Sequence, residues 1–373
     1  MDRRPIADPP SISVLASAAM FRPPPLPRTL DAALRDLGAA KPKIRIEALR
    51  DLARHADAAR IQVVRGLEGA LRDDVKEVRA AAATSLADIE GREATAALIA
   101  AAADPEVLVR QMAIAALGEI GDPEATPTLR AAMDDAAPEV RFQAVIAYPR
   151  AVATREEAVQ VLLKATRDED PLVCHIALRM AEELTDDGRR AADERVLVRG
   201  RALLRHETPL LRVASAILLA RSAREAARSD RAVGEVLTAV VLRELKTPDG
   251  EDEAAAVELV GELGLVAAKP GLERRAFGGL LLRRDRFAWH ARVSLAQLGD
   301  ERARREIMAE LGSWDRDRRT LAIAAAGKAR MTEARATIAA LRCDGLRADP
   351  DAVEEALAAL DGTTKTADAA QKG

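Results

Sequence analysis

Residues able to do chemistry are sparse in this chain of 373 residues. The histidines, His55, His175, His206 and His290, are widely spaced, and none belongs to an HExxH or other paired-ligand pattern. One His-Glu dipeptide occurs, His206-Glu207. Cys174 and Cys343 form no CxxC, so neither a zinc centre nor a dithiol redox centre is spelled out. Gly278-Gly279 lacks a following Lys-Ser or Lys-Thr and stands in an apolar helical context, and GxSxG is absent. What the chain has in quantity is arginine, in places beside aromatic side chains. One stretch carries Arg283, Arg284, Arg286, Phe287, Trp289, His290 and Arg292, then Trp314, Arg316, Arg318 and Arg319, and it holds both tryptophans. Arg and Trp are the types most enriched at binding hot spots. The same mixture suits a nucleic-acid backbone with stacked bases. A second stretch, Arg189 to Arg231, sets eleven arginines against five acids. The chemistry on offer is recognition, with no catalytic, cofactor or metal constellation.

The elements that must position these residues are helices. The segment DPEVLVRQMAIAALGEIGD (from Asp104) recurs as DDVKEVRAAAATSLADI (from Asp73), DAAPEVRFQAVIAYP (from Asp135) and SWDRDRRTLAIAAAGKA (from Ser313). Arginine falls six residues after the Asp, or its slot, in each copy: Asp73 to Arg79, Asp104 to Arg110, Asp135 to Arg141, Ser313 to Arg319. Arg79, Arg110 and Arg141 are thus each ~31 residues apart, a period that predicts stacked helical hairpins. Val107, Val109, Met112, Ala113, Ala116 and Leu117 keep helical spacing inside it. Asp before Pro is expected to cap the second helix of a pair, with Pro in the first helical position. Gly118 and Gly121 are expected to terminate that helix. Abundant alanine with only 2% aromatics suits closely packed helices, and the fold class is all-α. About ten helix pairs fit into one solenoid over 29–361, regular over 58–186 and more degenerate over 187–361. Residues 1–28 form a Pro-rich leader, read as a stiff linker with a docking peptide as the alternative. Residues 362–373 are small and polar and expected to be disordered.

This pattern resembles the HEAT repeat superfamily, in particular the bacterial form shared with phycobilin-lyase-type repeats. Asp73 with Arg79, Asp104 with Arg110 and Asp135 with Arg141 carry the resemblance, each followed by Ala82, Ala113 or Ala144; Arg319-Ala322-Gly327 repeats it later. The resemblance implies a right-handed α-solenoid of stacked antiparallel helix pairs, with second helices lining a concave face. It also implies that these Asp and Arg residues form a hydrogen-bonded ladder between hairpins, a scaffold role that suits the planar guanidinium fork. Some repeats depart from it. Cys174 takes the arginine slot after Asp168 and Ala291 takes it after Asp285, while His206 replaces Asp ahead of Arg212. Cys174 then reads as a small core residue. HEAT-like metal-dependent hydroxylases need several His-Glu dipeptides on successive repeats, which this chain lacks. A chromophore lyase would need a roomy site with aromatic groups, and Tyr148 is the single tyrosine.

A net charge of −3 with 31% charged residues argues against a dedicated nucleic-acid binder. No stretch approaches the ~18 apolar residues of a membrane span. The Ser13 to Phe21 segment is short and bracketed by prolines, so a signal peptide is not favoured. Two distant cysteines fit a reducing cytoplasm, and the excess of arginine over lysine fits a GC-rich bacterial genome. The expectation is a non-enzymatic cytoplasmic adaptor without cofactor, binding one or more proteins through its concave surface and the 283–319 stretch. Nucleic-acid binding or DNA repair through that stretch is the alternative, and a lyase-like enzyme comes third.

Overall fold

Ala-rich apolar stripes broken by Asp- and Pro-marked turns give short helices joined by tight connections, and the computed structural model contains no strand among the described residues. Those residues are 27–152, 154–183, 193–247, 249–278, 285–342 and 348–362. The leader up to residue 26, the tail from residue 363, Arg283, Arg284 and Cys343 lie outside them. Two compact units are present, Met1–Ala116 and Leu117–Gly373. The first begins with α1 (Leu30–Asp36), α2 (Pro42–Ala53), α3 (Ala56–Ala70), α4 (Lys76–Asp88) and α5 (Thr95–Ala101); the boundary falls within α6 (Val107–Ile120). The second contains α7 (Thr126–Ala132), α8 (Pro138–Ala151), α9 (Arg155–Ala165), α10 (Pro171–Glu183), α11 (Glu194–Leu203) and α12 (Pro209–Ser222). It continues through α13 (Arg224–Ser229), α14 (Arg231–Leu242), α15 (Gly250–Glu262), α16 (Lys269–Phe277) and α17 (Ala288–Gln297). It ends with α18 (Glu301–Leu311), α19 (Arg316–Lys328), α20 (Arg335–Ala339) and α21 (Pro350–Leu360). The second helices are α2, α4, α6, α8, α10, α12, α15, α17, α19 and α21, and α13 is an additional short helix. The fold is an all-α solenoid of helix pairs.

One contact defines the turn before a second helix. The side chain of Asp73, Asp104, Asp135, Asp168, His206, Thr247, Asp285 or Ser313 accepts the N–H two residues on, at 2.8 to 3.4 Å. This differs from the expected cap. Asp104 holds the Glu106 N–H and stands outside α6, which starts at Val107. The expected Asp-Pro cap is found at Asp170 and Asp349, whose carboxylates accept from two helix N–H groups each. Set back in the turn, the carboxylate also accepts from an arginine of the preceding second helix. Arg45 reaches Asp73 at 2.7 Å, Arg79 grips Asp104 at 2.7 and 2.9 Å, and Arg141 grips Asp168 at 2.8 Å through both nitrogens. Each ladder arginine also ties down its own turn: Arg79 donates to Asp73 O, Arg110 to Asp104 O and Arg141 to Asp135 O, all at 2.9 Å, and Arg319 donates to Ser313 O.

Gly121, at φ +64°, ends α6, but Gly118 serves a different purpose from the expected stop. It lies inside α6, where a Cβ would stand 2.4 Å from Ala147 Cβ and 3.1 Å from Ala147 Cα. Gly327 repeats the arrangement, with a Cβ only 2.7 Å from Ala356 Cα. Neighbouring second helices approach backbone to backbone at these points, so no side-chain rotation relieves an added methyl. Gly327→Val is expected to cost about 2 kcal/mol through overpacking, read as a lower thermal midpoint for residues 117–373. An unchanged midpoint would show that α21 can move away freely.

Within the second unit, second helices also touch across an intervening neighbour. His175 and Arg179 of α10 reach Asp252 of α15 at 3.1 and 3.0 Å, although α12 packs between them. Lys328 of α19 likewise reaches Glu258 of α15, past α17, at 3.0 Å. A row whose alternate members meet is curved toward the side of contact, so these helices form the inner side of residues 117–373.

Candidate functional site

The inner row opens between α17 and α19. α15 packs closely on α17 and α19 on α21, whereas α17 and α19 meet over few residues. Helix α17 has 10 residues against 13 in α15 and α19, and so is about one turn shorter. In α15 and α19 a close-approach glycine, Gly261 or Gly327, stands three residues before a positive-φ residue; in α17 that position is Ala296, before Gly299. The gap is a cleft of about 190 Å³ walled by Trp289, Val293, Leu321 and Ala325, with His290 and Lys328 as polar members. A second cleft of about 200 Å³ shares Trp289 and Leu321 and adds Arg292, Glu310 and Arg318. Gln297 Nε2 bridges the two helices by donating to Lys328 O at 3.2 Å. The Lys328 ammonium is held by Glu258 and Glu262, and His290 Nδ1 is buried without a partner.

Residues 64–149 and 95–183 match the family model described as HEAT repeats. Residues 64–183 are HEAT repeats. No curated protein matches its sequence significantly. Among solved structures it is similar to importin beta, at 13% identity over 88% of this chain and 50% of that one, with a TM-score of 0.51. YibA of Escherichia coli matches at 18% identity over 72% of this chain and 92% of its own, with a TM-score of 0.49. The CpcE–CpcF phycocyanin lyase complex from Nostoc sp. matches at 18% identity over 77% and 92%, with a TM-score of 0.33. The importin beta likeness concerns the fold alone.

The structure brings only part of the arginine-aromatic stretch together. Trp289, Arg292 and Arg318 line one cleft and Trp289 with His290 the other. Arg286 donates to Glu253 at 2.6 Å and stacks 4.5 Å over the Phe287 ring, which forms a T-shaped pair with His290. Arg292 pairs with Glu306 at 2.9 Å and donates to Ala276 O. Arg316 and Arg318 are exposed, with no acidic partner among the described residues. Trp314 is fully exposed in the turn before α19 and lines neither cleft. Among the cleft residues that the sequence did not point to, Val293, Gln297, Glu310, Ala325 and Lys328 included, Leu321 is the exposed large apolar one at 54%; its signal is an apolar side chain three positions beyond Arg318 on an otherwise solvated helix face.

The remaining chemically capable side chains take structural roles. Cys174 is buried, donates its thiol to Asp168 O and has its pKa pushed up by burial. Tyr148 is buried and donates to Glu157 at 2.6 Å. His175, Asp249 and Asp252 bring three ligand-type atoms within 4.8 Å, a grouping invisible in a sequence that places His175 more than 70 residues before the two acids. Arg179 already neutralises the Asp252 carboxylate at 3.0 Å, and Asp249 is engaged by the Glu251 N–H. A cation there would face the guanidinium directly, so the donor set is that of an ion-pair cluster.

Proposed function

We propose that this protein is a non-enzymatic cytoplasmic adaptor that seats a partner protein on the inner side of residues 117–373, at the α17–α19 clefts. The observation carrying the reading is the half-buried Trp289 wall shared by two adjoining clefts, rimmed by exposed Leu321 and Arg318. An aromatic anchor in a preformed recess, with an arginine at its edge, is the composition of a protein hot spot. Nucleic acid is favoured less, because Arg286 and Arg292 are committed to Glu253 and Glu306.

A photo-crosslinking residue at position 321, compared with one at exposed Ile61, tests the seat in native lysate. A partner captured from 321 and not from 61 is expected. Trp289→Ala and Leu321→Glu should each weaken its binding about tenfold or more without loss of helicity. Equal binding by both variants would overturn the seat. Salt-sensitive gel shifts of duplex or single strand that depend on Arg316 and Arg318 would replace a protein partner by nucleic acid.

A further inference from the structure

The turn before α15 leaves one ladder arginine unused. Its slot residue, identified by the bond to the N–H two residues on, is Thr247, whose Oγ1 faces the Asp249 N–H at 3.4 Å. The arginine one repeat earlier is Arg212, six residues after His206 and in the fourth position of α12, as Arg141 is in α8. Arg79 and Arg141 hold a carboxylate in the following turn and a carbonyl in their own. Arg212 holds neither. Among the described residues it makes no ion pair and no side-chain hydrogen bond, and its Nε is buried without an acceptor.

Two other breaks in the ladder are repaired within the chain. Where Cys174 replaces arginine, Arg199 donates twice to Thr166 O. Where Glu253 stands in the arginine slot of α15, Arg275 and Arg286 pair with it, and Arg243 reaches Asp285 at 2.5 Å. Arg212 instead borders an open groove of about 730 Å³ along α14, with Arg228, Arg231, Thr238 and exposed Val266. The acids in that groove are Asp230, spent capping α14, Glu235, paired with Arg231 at 2.6 Å, and Glu244, which forms no ion pair with Arg212. The groove thus presents a guanidinium whose partner the chain does not supply.

We propose that Arg212 is the receptor for a glutamate or aspartate side chain of an acidic segment in a partner protein, which completes the ladder in trans. The guanidinium is partly desolvated and its fork is planar, so little order is lost on accepting a carboxylate in two parallel charge-assisted bonds. Thr238 and Val266 provide uncharged walls for the rest of the segment. This goes beyond the α17–α19 seat and does not rest on it.

The full chain is titrated at low salt with a fluorescein-labelled, end-capped peptide of four glutamates, with its glutamine counterpart and inorganic phosphate as controls. Binding of the glutamate peptide that weakens with added salt is expected, with none of the glutamine peptide. Arg212→Gln should weaken it about tenfold or more, the equivalent of one charge-assisted contact. Thr247→Asp restores the ladder carboxylate within the chain, so it should raise the thermal midpoint and weaken the peptide to a similar degree. Trp289→Ala should leave the peptide unaffected, which separates this site from the adaptor seat. Equal binding to wild type, Arg212→Gln and Thr247→Asp would overturn the proposal. So would a glutamine peptide that binds as well, or phosphate binding without peptide binding.

Discussion

Asp252→Ala is expected to melt residues 117–373 well below the wild type, with a loss of about 3 kcal/mol and a midpoint about 6 to 12 °C lower. Asp252 lies in the first turn of α15 and is fully buried, where a carboxylate gains from the free N–H groups of the helix start. Its two oxygens are taken by His175 Nε2 and Arg179 Nη1, and Arg179 extends to Glu251 at 2.8 Å. Burial works against the Arg179 charge, but Asp252 and Glu182 outweigh it and raise its pKa. Removing the carboxylate strands that cation, and breaking one side of a buried pair costs more than the pair contributes. Arg179 keeps about a quarter of its side chain in solvent, which places the loss at the lower end of the range. Asp252→Asn, which keeps an acceptor, should fall between the two proteins. A melt of Asp252→Ala within a degree or two of wild type would show that α10 and α15 do not depend on this bridge.

The repeat was legible because its chemistry is local. A carboxylate six residues before an arginine, as Asp135 before Arg141 with Pro138 opening the helix, reports one turn of chain. Roles that depend on a second helix were not legible. Gly118 suits a helix end as well as a close crossing, and only Ala147 opposite decides between them. Arg286 and Arg292 have the composition of a hot spot, yet Glu253 and Glu306 on other helices determine whether they are available. His175 and Asp252 meet across an intervening repeat, so a period that predicts nearest neighbours is silent about them. Trp289 and Trp314 read alike in sequence, but one is walled in by α17 and α19 while the other stands in a turn, fully exposed.

Arg141→Ala should show a stability loss that depends on pH in a defined direction. The Arg141 side chain is 10% exposed and that of Asp168 13%, and the variant removes two charge-assisted bonds to Asp168 together with the clasp on Asp135 O. About 3 kcal/mol is expected near pH 7. Burial alone would push the Asp168 carboxyl up, but Arg141's hydrogen bonds, the Asp170 N–H and Arg141's charge outweigh it and hold the pKa below the ordinary carboxylate value. The folded protein therefore binds fewer protons at this site than the unfolded chain. That contribution is complete above the unfolded value of about 4 and is lost as pH falls through the lower folded value. Without Arg141 most of the depression disappears, so the variant has less to lose in acid. Urea midpoints at about pH 7 and about pH 3 should show the gap between the two proteins narrowing in acid. Arg79→Ala should behave in the same way in the first unit, where Arg79 holds Asp104 below its ordinary value against burial. A gap that stays constant across this range would mean that the arginine acts through packing of its stem, and that the charge it carries is incidental to the stacking of these repeats.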